Sequence, residues 1–366
     1  MATNVHEISA GRSTPETKGA IRDAPRNAWW VAAFADEVGR EPMARWLLGR
    51  PVVLYRREDG RVAALDDRCP HRWAPLSQGK LVGDEIQCPY HGYQFDGDGR
   101  CTRIPTQETV PSRVRVASYP VHESGPFVWI WMGDEGCQDD EEAPQPIELE
   151  WYGKPDWAVV KGALPMKANY MLIQENVLDL THFTFLHANS LQQTGWTEPA
   201  EQYTGEGRRI GYDHLFRNIH LSPAQGGMTG LGSDKPVDRQ DWGDFWAPSI
   251  HVGGTDVLNP DPEPDARKRY NTRIVHAVTP DGRGGSHYWW MVAQDFGADN
   301  PEQIAATGAF IHSVFSEDKT VIEAIQEIVD TDVRGSGVVE ISTRADEVTV
   351  KARRLVDAMC ARENAG

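Results

Sequence analysis

The stretch CPHRWAPLSQGKLVGDEIQCPYHGYQFDGDG, from Cys69 to Gly99, contains two short clusters of metal-binding residue types. The first cluster ends at His71, the second runs from Cys88 to His91, and sixteen residues lie between His71 and Cys88. Each cluster opens with Cys-Pro and contains one thiol and one imidazole. Thiolates and imidazoles are the side chains that bind zinc or hold an iron–sulfur cluster. The sequence therefore predicts one metal centre with four ligands, taken from two similar loops.

Zinc and an iron–sulfur cluster both fit four such ligands, and the order of the ligands distinguishes them. Zinc fingers commonly place two Cys together and two His together. A [2Fe–2S] cluster that has two Cys on one iron and two His on the other takes one ligand of each type from each loop. Proline after each Cys restricts the backbone at a tight loop. The order favours the cluster, and zinc remains the alternative.

The segments CPHRWAPLSQG and CPYHGYQFDGDG resemble the Rieske domain of the Rieske non-haem iron oxygenases. The resemblance implies that Cys69 and Cys88 hold one iron of a [2Fe–2S] cluster, and that His71 and His91 hold the other. Two neutral imidazoles in place of two thiolates raise the reduction potential above that of an all-Cys cluster. Such a cluster accepts electrons and passes them on to a second site.

A second group of candidate ligands lies in NVLDLTHFTFLHA, which contains His182 and His187. On a regular helix these side chains would point about 140° apart, so they share a metal only if the helix ends or distorts between them. Asp179 precedes His182 by three residues and would share its helix face. Its carboxylate could then accept the second ring N–H of His182 and fix the tautomer.

Two His and one carboxylate form the facial triad of non-haem Fe(II) oxygenases. The carboxylate has to come from elsewhere in the chain, and Asp318 in FSEDKTVIEAIQ is the candidate, with Glu317 as its rival. Ser316 can cap a helix that starts there. An apolar stripe along that helix would dock it in the core, formed by Val321, Ile322, Ala324, Ile325 and Ile328.

NVLDLTHFTFLHA is similar to the N-x-x-D-x-x-H-x4-H segment of this family's catalytic domain, and SEDKTVIEAI to the segment that supplies its aspartate. The resemblance implies that His182, His187 and Asp318 bind a mononuclear Fe(II). It also implies that Asp179 connects this site to a cluster His of the neighbouring subunit in a head-to-tail homotrimer. Asn176 matches a residue close to the iron in the O-demethylase branch.

Candidates for substrate binding come from the second half of the chain. In dicamba-type O-demethylases, a His in a segment similar to TRIVHAVTP binds the substrate carboxylate, so the resemblance implies this role for His276. A core histidine is the alternative for His276. Further candidates for substrate contact are His251 and Trp290.

The pattern along the chain predicts an α+β protein. A polar tail over 1–26 precedes an all-β half over 27–133, which contains a hairpin over 52–67 with a turn at Asp59-Gly60. The acidic, proline-containing stretch over 134–147 is a predicted linker. The mixed half over 148–366 has helical spacing at 164–188 and 346–359, and strand-like runs at 208–222, 272–280 and 286–297. The resemblance implies a Rieske [2Fe–2S] domain followed by a helix-grip catalytic domain.

The composition limits the classes of partner. The net charge of −17 over 366 residues argues against nucleic acid or an anionic membrane as the main partner, since both are negative. No stretch approaches 18 consecutive apolar residues. The five Cys are too few and too scattered for a secreted disulfide framework. These features predict a cytoplasmic protein.

The resemblance implies the oxygenase component of a Rieske monooxygenase, which uses O2 to oxidise a small aromatic substrate, most simply by O-demethylation of a methoxy-aromatic acid. The chain contains neither a nucleotide-binding Gly fingerprint nor a plant-type four-Cys segment. A separate reductase with flavin and a ferredoxin-type centre would therefore supply electrons from NAD(P)H. The alternatives are hydroxylation or dihydroxylation of another aromatic or cyclic compound, a Rieske electron carrier, and a zinc-stabilised binding protein. The last would contain zinc and no acid-labile sulfide.

Overall fold

The computed structural model describes residues 24–139, 145–192, 202–259, 267–334 and 340–364. Most of the predicted tail and residues 140–144 of the predicted linker lie outside these ranges. The described residues form two compact units. The first contains the described residues up to Glu150, with Thr279–Gly284 and the described residues after Ala361, and the second contains the described residues within 151–278 and 285–361. The predicted domain boundaries stay predictions, because these units follow spatial contacts rather than chain order.

The first unit is built from short antiparallel strands in three small sheets. Its predicted hairpin is confirmed, with a turn in which Gly60 adopts φ 84°. A left-handed conformation of this kind favours glycine, which has no Cβ. The strands are β1 (Trp29–Phe34), β2 (Met43–Leu47), β3 (Arg50–Arg56), β4 (Val62–Asp66), β5 (Lys80–Val82), β6 (Glu85–Gln87), β7 (Gln94–Phe95), β8 (Cys101–Arg103), β9 (Val121–Ser124) and β10 (Phe127–Trp131).

The sheets of this unit are β1-β10-β9, β2-β3-β4 and β5-β6-β7-β8. Strand β10 lies near the end of the all-β half, and all five of its residues are buried. A hydrophobic cluster that includes Val53, Leu65, Ile86 and Phe95 packs around the two cluster-loop cysteines. The four-stranded sheet therefore carries the second Cys-Pro loop between β6 and β7.

The second unit contains one seven-stranded antiparallel sheet in the order β11-β17-β16-β15-β14-β13-β12. The strand-like runs predicted at 208–222, 272–280 and 286–297 correspond to β13, β16 and β17. The strands are β11 (Ala158–Met166), β12 (Gln202–Glu206), β13 (Arg209–His220), β14 (Pro236–Trp246), β15 (Ile250–Leu258), β16 (Arg269–Pro280) and β17 (Ser286–Gln294).

Among the described residues, four α-helices complete this fold: α1 (Tyr170–Leu178), α2 (Pro223–Thr229), α3 (Pro301–Thr331) and α4 (Glu347–Glu363). Helix α3 packs against β11 and α1, which brings the C-terminal half of the chain to the segment after α1. The small β-sheets of the first unit and the antiparallel sheet with helices of the second confirm the predicted α+β class. No described helix is long and apolar enough to cross a membrane.

The start of the Asp318 helix was predicted in the wrong place. Helix α3 begins at Pro301, and the Asn300 side chain caps it by accepting a hydrogen bond from the Gln303 amide at 3.1 Å. Ser316 lies in the middle of the helix, where its hydroxyl donates to the His312 carbonyl at 2.7 Å. A serine hydroxyl can bond backwards within a helix as well as cap its start, and this explains the error.

The apolar stripe predicted on this helix does not dock it in the core as expected. Among its members, Ile322 is buried, whereas Val321, Ile325 and Ile328 are exposed. The buried face of α3 instead contains Thr307, Val314, Phe315 and Asp318. The face of the helix that packs against the rest of the unit thus includes polar residues. Part of its apolar surface is exposed to solvent in the single chain.

Candidate metal centres and substrate cavity

The two Cys-Pro loops share one backbone geometry. In the first loop, the Cys69 amide donates to the Ala74 carbonyl at 2.9 Å, and the Trp73 amide donates to the Cys69 carbonyl at 2.8 Å. The second loop repeats both bonds at the same offsets from Cys88, at 2.8 and 3.1 Å. The residue four positions after each Cys has positive φ, 59° at Trp73 and 72° at Gly92. The two segments are therefore structurally equivalent loops.

The two loops bring the two predicted thiol ligands together and, separately, the two predicted imidazole ligands. Cys69 and Cys88 are buried neighbours, and burial raises the pKa of the Cys69 thiol to about 11. His71 and His91 are exposed, and their Nδ1 atoms lie 3.1 Å apart. One pair of sulfurs and one pair of nitrogens match a two-iron cluster with one ligand type on each iron.

The spacing of these atoms does not fit a single tetrahedral ion. Ligands that share one zinc lie within about 4 Å of one another, because each is about 2.0–2.3 Å from the metal. In the described part of the chain, only the second group of candidates brings three ligand atoms within 4.8 Å of one another. The geometry of the first group therefore favours the cluster over zinc.

The second group of ligands meets because α1 ends before it. Helix α1 stops at Leu178, and a short 3-10 helix over Leu180–Thr184 follows. This break brings both imidazoles to one carboxylate oxygen. The Nε2 atom of His182 lies 3.4 Å from Asp318 Oδ1, and the Nε2 atom of His187 lies 3.1 Å from it. The chain therefore does not continue as a regular helix through His182 and His187, which is what a shared metal requires.

In both histidines the Nδ1 atom, which is the ring nitrogen away from Asp318, makes a hydrogen bond. His182 Nδ1 lies 2.6 Å from the backbone carbonyl of Asp179, not from its carboxylate as predicted. The carboxylate instead accepts two hydrogen bonds from Thr181, at 2.9 Å from the amide and 2.6 Å from the hydroxyl. Asp179 has extended backbone and caps the 3-10 helix, so the argument from a shared helix face fails.

Glu317, the rival third ligand, lies on the other side of His187. Its Oε2 is 2.9 Å from His187 Nδ1 and accepts a hydrogen bond from the Ser190 hydroxyl at 3.0 Å. Successive side chains on a helix point about 100° apart, so Glu317 and Asp318 reach opposite nitrogens of the same ring. This contact is the carboxylate–histidine arrangement that commonly orients metal ligands.

The contacts within this group lower the pKa of Asp318 and raise that of His187. Burial alone would raise the pKa of Asp318, but hydrogen bonds from His182 and His187 lower it to about 2. Burial lowers the pKa of His187, while contacts with Asp318 and Glu317 raise it to a net value above the usual one. Two imidazoles and an ionised carboxylate are a donor set suited to Fe(II), so the residues present fit a mononuclear iron.

Asn176, which the family resemblance implied to lie near the iron, contacts this group. Its side-chain amide donates to Asp318 Oδ1 at 3.2 Å from the last turn of α1. The same side chain lines a cavity of about 190 Å³ that also contacts His182, His187 and Asp318. The candidate ligands are therefore at the wall of a partly open cavity large enough for a small ring compound.

The wall of this cavity is mainly apolar. Phenylalanine and aliphatic side chains come from α3, β16 and the 3-10 helix, among them Phe183, Ile274, Phe310, Val314 and Phe315. Hydroxyl, amide and carboxylate groups come from α2 and the middle of the sheet, among them Ser222, Gln225, Asp241, Thr255 and Thr272. An apolar pocket with a few convergent polar groups is the usual form of a small-molecule site.

Two of the three predicted substrate residues lie on this wall. His276 and His251 are buried, face the cavity from adjacent strands β16 and β15, and have ring centroids 5.3 Å apart. Trp290 is not among the described residues that line the cavity, so its role as a substrate contact stays a prediction. Its indole fills the space above Gly162, where a Cβ would approach it to 2.5 Å, and it packs against Phe315.

Sequence reasoning missed Tyr288, whose hydroxyl lies 2.7 Å from His276 Nδ1. It also missed Tyr212, which stacks on His251 at 6.1 Å. Tyr288 and Val292 lie on the same face of β17, and Val292 lines the cavity, so the period of two residues on a strand could have placed Tyr288 on that face. Tyr212 had no comparable signal, because its neighbours on the sheet come from distant parts of the chain.

Comparison with protein families gives matches over both halves of the chain. Residues 28–120 match the Rieske [2Fe-2S] domain, and residues 166–362 match the vanillate O-demethylase oxygenase C-terminal domain. The two ranges contain all the residues that form the two groups described above.

Individual proteins match over nearly the whole length. The iron-sulfur subunit of the toluene-4-sulfonate monooxygenase system of Comamonas testosteroni is 33% identical, over 93% of this chain and 98% of its own. The oxygenase component of dicamba O-demethylase from Stenotrophomonas maltophilia is 32% identical, over 91% and 96%. A crystal structure of dicamba monooxygenase bound to 3,6-dichlorosalicylic acid superposes with TM-score 0.86 at 31% identity, over 93% and 99%.

Proposed function

This chain belongs to the Rieske non-haem iron oxygenases, in the group of the vanillate O-demethylase and dicamba monooxygenase oxygenase components, and we propose that it O-demethylates a methoxy-aromatic compound. It is the oxygenase component of a Rieske monooxygenase system, and the substrate is the proposed part. The observation that carries the proposal is the meeting of His182, His187 and Asp318 at the wall of an apolar cavity, with Asn176 bonded to Asp318.

The proposed ligand sets follow the two groups. Cys69 and Cys88 hold one iron of the [2Fe–2S] cluster, and His71 and His91 hold the other. The sorting of two thiols from two imidazoles supports this assignment. In the second unit, His182, His187 and Asp318 hold the mononuclear iron.

A ferrous ion at the second site would supply the chemistry of O2 reduction and C–H oxidation. The chain's own groups prepare the site for it. The Asp179 carbonyl and the Glu317 carboxylate hold the Nδ1 sides of the two imidazoles, so both Nε2 atoms face Asp318. Phe183 and Phe315 exclude water from the adjoining space and hold a ring beside the ligands. Oxidation of a methoxy methyl carbon gives a hemiacetal, which collapses to a phenol and formaldehyde.

A separate reductase is the proposed electron source. Relatives are named as oxygenase components and as a subunit of a monooxygenase system, which supports such a partner. We assign to it a flavin and a ferredoxin-type centre that take electrons from NAD(P)H, and we place both proteins in the cytoplasm, where NAD(P)H is available.

We further propose a homotrimer in which electrons cross between subunits. Asp179 would accept a hydrogen bond from a cluster His of the neighbouring subunit. Its Oδ1 is used by Thr181, while Oδ2 has no partner among the described residues. Apolar side chains beside both candidate surfaces support a subunit contact, since Trp73 is 72% exposed and Phe185 is 74% exposed.

Turnover with a surrogate reductase tests this function. Iron-loaded protein, reductase and NADH are mixed with a panel of methoxy-aromatic acids and their uncharged amides, and O2 uptake and formaldehyde are measured together. Formaldehyde that matches O2 uptake for one compound would establish O-demethylation. O2 uptake and a hydroxylated product without formaldehyde would instead favour hydroxylation, which the toluene-4-sulfonate relative makes the second candidate. Protein purified with care but lacking iron and acid-labile sulfide would contradict the proposal.

A further inference from the structure

The last turn of helix α1 leads directly into the mononuclear site. Asn176 lies in this turn and donates to Asp318 at 3.2 Å. The Asp179 amide ends the helix by donating to the Glu175 carbonyl at 3.1 Å, and the Asp179 carbonyl holds His182 Nδ1 at 2.6 Å. The direction in which this last turn points therefore decides whether His182 reaches Asp318.

Helix α1 is too short to set that direction by itself. It has nine residues, and isolated helices of this length are marginal in water. Its start is tied to α3, because the Asn169 amide donates to the Gln326 side chain at 2.8 Å. Nearer its end, Gln174 donates to the Ser249 carbonyl at 2.7 Å. The apolar side chains of α1 add packing that is not directional, so polar contacts on other sides of the helix set its rotation about its own axis.

One such contact comes from helix α4. Arg353 holds the Glu175 carboxylate with two hydrogen bonds, from Nε at 2.7 Å and from Nη2 at 2.6 Å. Both side chains are largely shielded from water, with 19% of Glu175 and 29% of Arg353 exposed. Two parallel bonds between planar groups fix orientation as well as distance. Consecutive side chains on a helix point about 100° apart, so Gln174 and Glu175 anchor two different sides of one turn.

The same guanidinium also reaches outward. Its Nη1 donates to Glu340 at 2.7 Å, and the Glu340 side chain is 58% exposed. Exposed ion pairs contribute little, so the contact with Glu175 is the one expected to matter for the position of α1. Arg354, the next residue on α4, is exposed. Glu340 and Arg354 therefore provide matched positions at which a charge is removed without loss of the bonds to Glu175.

We propose that Arg353 is a positioning residue for the mononuclear site and acts through Glu175 on the last turn of α1. Arg353 is not among the described residues that line the cavity. Its effect on the site is to fix the rotation of this turn, and with it the path of the chain to His182. The proposed role rests on the proposed function only in taking His182, His187 and Asp318 as the iron site.

Iron binding without turnover tests this role. Arg353→Met keeps an unbranched side chain and removes both bonds to Glu175. In the full chain with its [2Fe–2S] cluster loaded, we expect the dissociation constant for Fe(II) at the mononuclear site to rise about tenfold, the lower end of the range for an outer partner of a metal ligand. Competition with a chelator measures this constant, and the visible absorbance of the cluster serves as the internal reference.

A spectrum of the iron-saturated protein distinguishes positioning from general loss of stability. Near-infrared magnetic circular dichroism of the Fe(II) site reports its ligand geometry, and the bands should shift in Arg353→Met. A change in stability alone would leave the geometry of the folded, saturated protein unaltered. Unchanged affinity, or weaker binding with an unchanged spectrum, would overturn the proposed role.

Two milder variants keep the test available if Arg353→Met does not fold. Arg353→Lys retains the charge without the paired bonds, so it should recover only part of the affinity. Glu175→Gln should change the constant in the same direction as Arg353→Met but by less, because its amide oxygen still accepts one bond from Arg353. Wild-type affinity and spectrum in both variants would contradict the proposal.

The controls remove charges at the matched positions. Glu340→Gln breaks the outer ion pair of Arg353, and Arg354→Met removes an exposed guanidinium from the same helix. Both should leave the iron constant and the spectrum unchanged. A loss in Glu340→Gln equal to that in Arg353→Met would show that the hold on α1 is not what matters.

The two proposals fail in different ways. Weaker iron binding with a shifted spectrum in Arg353→Met, in a protein that releases no formaldehyde from any methoxy compound, would support this role and count against O-demethylation. O-demethylation by a wild-type protein whose Arg353→Met variant binds iron equally well would support the proposed function and overturn this role.

Discussion

At the scale of single residues, Glu317 and Asp318 contact different nitrogens of the same imidazole, that of His187. Asp318 lies 3.1 Å from His187 Nε2, and Glu317 lies 2.9 Å from His187 Nδ1. A carboxylate on the outer nitrogen fixes the ring and makes the inner nitrogen a better donor to a metal. The pair thus combines a candidate ligand with the group that orients another candidate ligand.

Removal of this outer carboxylate should weaken iron binding. We expect Glu317→Ala to raise the dissociation constant for Fe(II) at the mononuclear site about 10–100-fold, because His187 loses its orienting partner. Competition with a chelator measures this constant. The matched control is Glu327→Ala, an exposed glutamate on the same helix, which should leave it unchanged. Unchanged iron affinity in Glu317→Ala would show that the contact has no role in metal binding.

At the scale of elements, the two Cys-Pro loops adopt the same backbone conformation. Both require a left-handed residue four positions after the Cys. Glycine fills that position in the second loop, whereas tryptophan fills it in the first, where its exposed ring lies over Arg68 at 5.2 Å. A left-handed conformation costs an ordinary residue about 1–2 kcal/mol, so substitutions at the two positions should change stability by different amounts.

Gly92→Ala should destabilise the first unit by about 1–2 kcal/mol, from the left-handed backbone alone. The new Cβ would also meet Pro105 Cγ at 3.1 Å. Trp73→Gly should be near neutral, because relief of the backbone strain offsets the lost contact with Arg68. Denaturant unfolding of cluster-loaded protein, followed by visible absorbance, measures both. Equal losses from the two changes would argue against the shared geometry of the loops.

Helix α3 is capped at its start by the side chain of Asn300. Because Asn300 caps it, Asn300→Ala should lower the free energy of unfolding by about 1 kcal/mol. Ser316→Ala serves as the internal comparison and should change it by less than about 0.5 kcal/mol, since its hydroxyl bonds only within the helix. Far-ultraviolet circular dichroism in denaturant measures both. A larger loss from Ser316→Ala would favour a helix break at that position.

At the scale of the whole molecule, the proposed trimer explains surfaces that the single chain leaves open. The exposed apolar residues near both candidate centres, and those along the second half of α3, would be covered by other subunits. An electron route between subunits would also give Asp179 a partner for its second oxygen. Sedimentation of the metal-loaded protein should therefore give three times the mass of one chain, and a monomer at micromolar concentration would contradict this assembly.

Asp179→Asn tests the electron route across that assembly. The variant should keep both metal centres loaded, because Asn Oδ1 can still accept the Thr181 hydrogen bonds. Turnover should fall about 10–100-fold, since the amide no longer provides a charged acceptor for a cluster His. Iron and sulfide content and NADH-driven turnover measure the two effects. Asp156→Asn, at an exposed position in the same unit, is the control, and normal turnover in Asp179→Asn would refute the route.

The sequence alone determined the features that depend on residue type and short spacing. Two Cys-Pro loops with one thiol and one imidazole each predicted a Rieske-type centre, and the two loops share one geometry in the structure. Short strands around Asp59-Gly60 and the long runs in the second half predicted an α+β protein. These signals are local, because turns, strand periods and ligand spacing act within a few residues.

Only the tertiary structure decided which distant groups meet. It placed Asp318 in the middle of α3, packed Trp290 against Phe315 and over Gly162, and brought Tyr288 to His276 on the neighbouring strand. It also replaced the expected Asp179 carboxylate on His182 with a backbone carbonyl, because the chain turns into a 3-10 helix there. The physical reason is that contacts between elements depend on packing and register, which the spacing of residues along one segment does not specify.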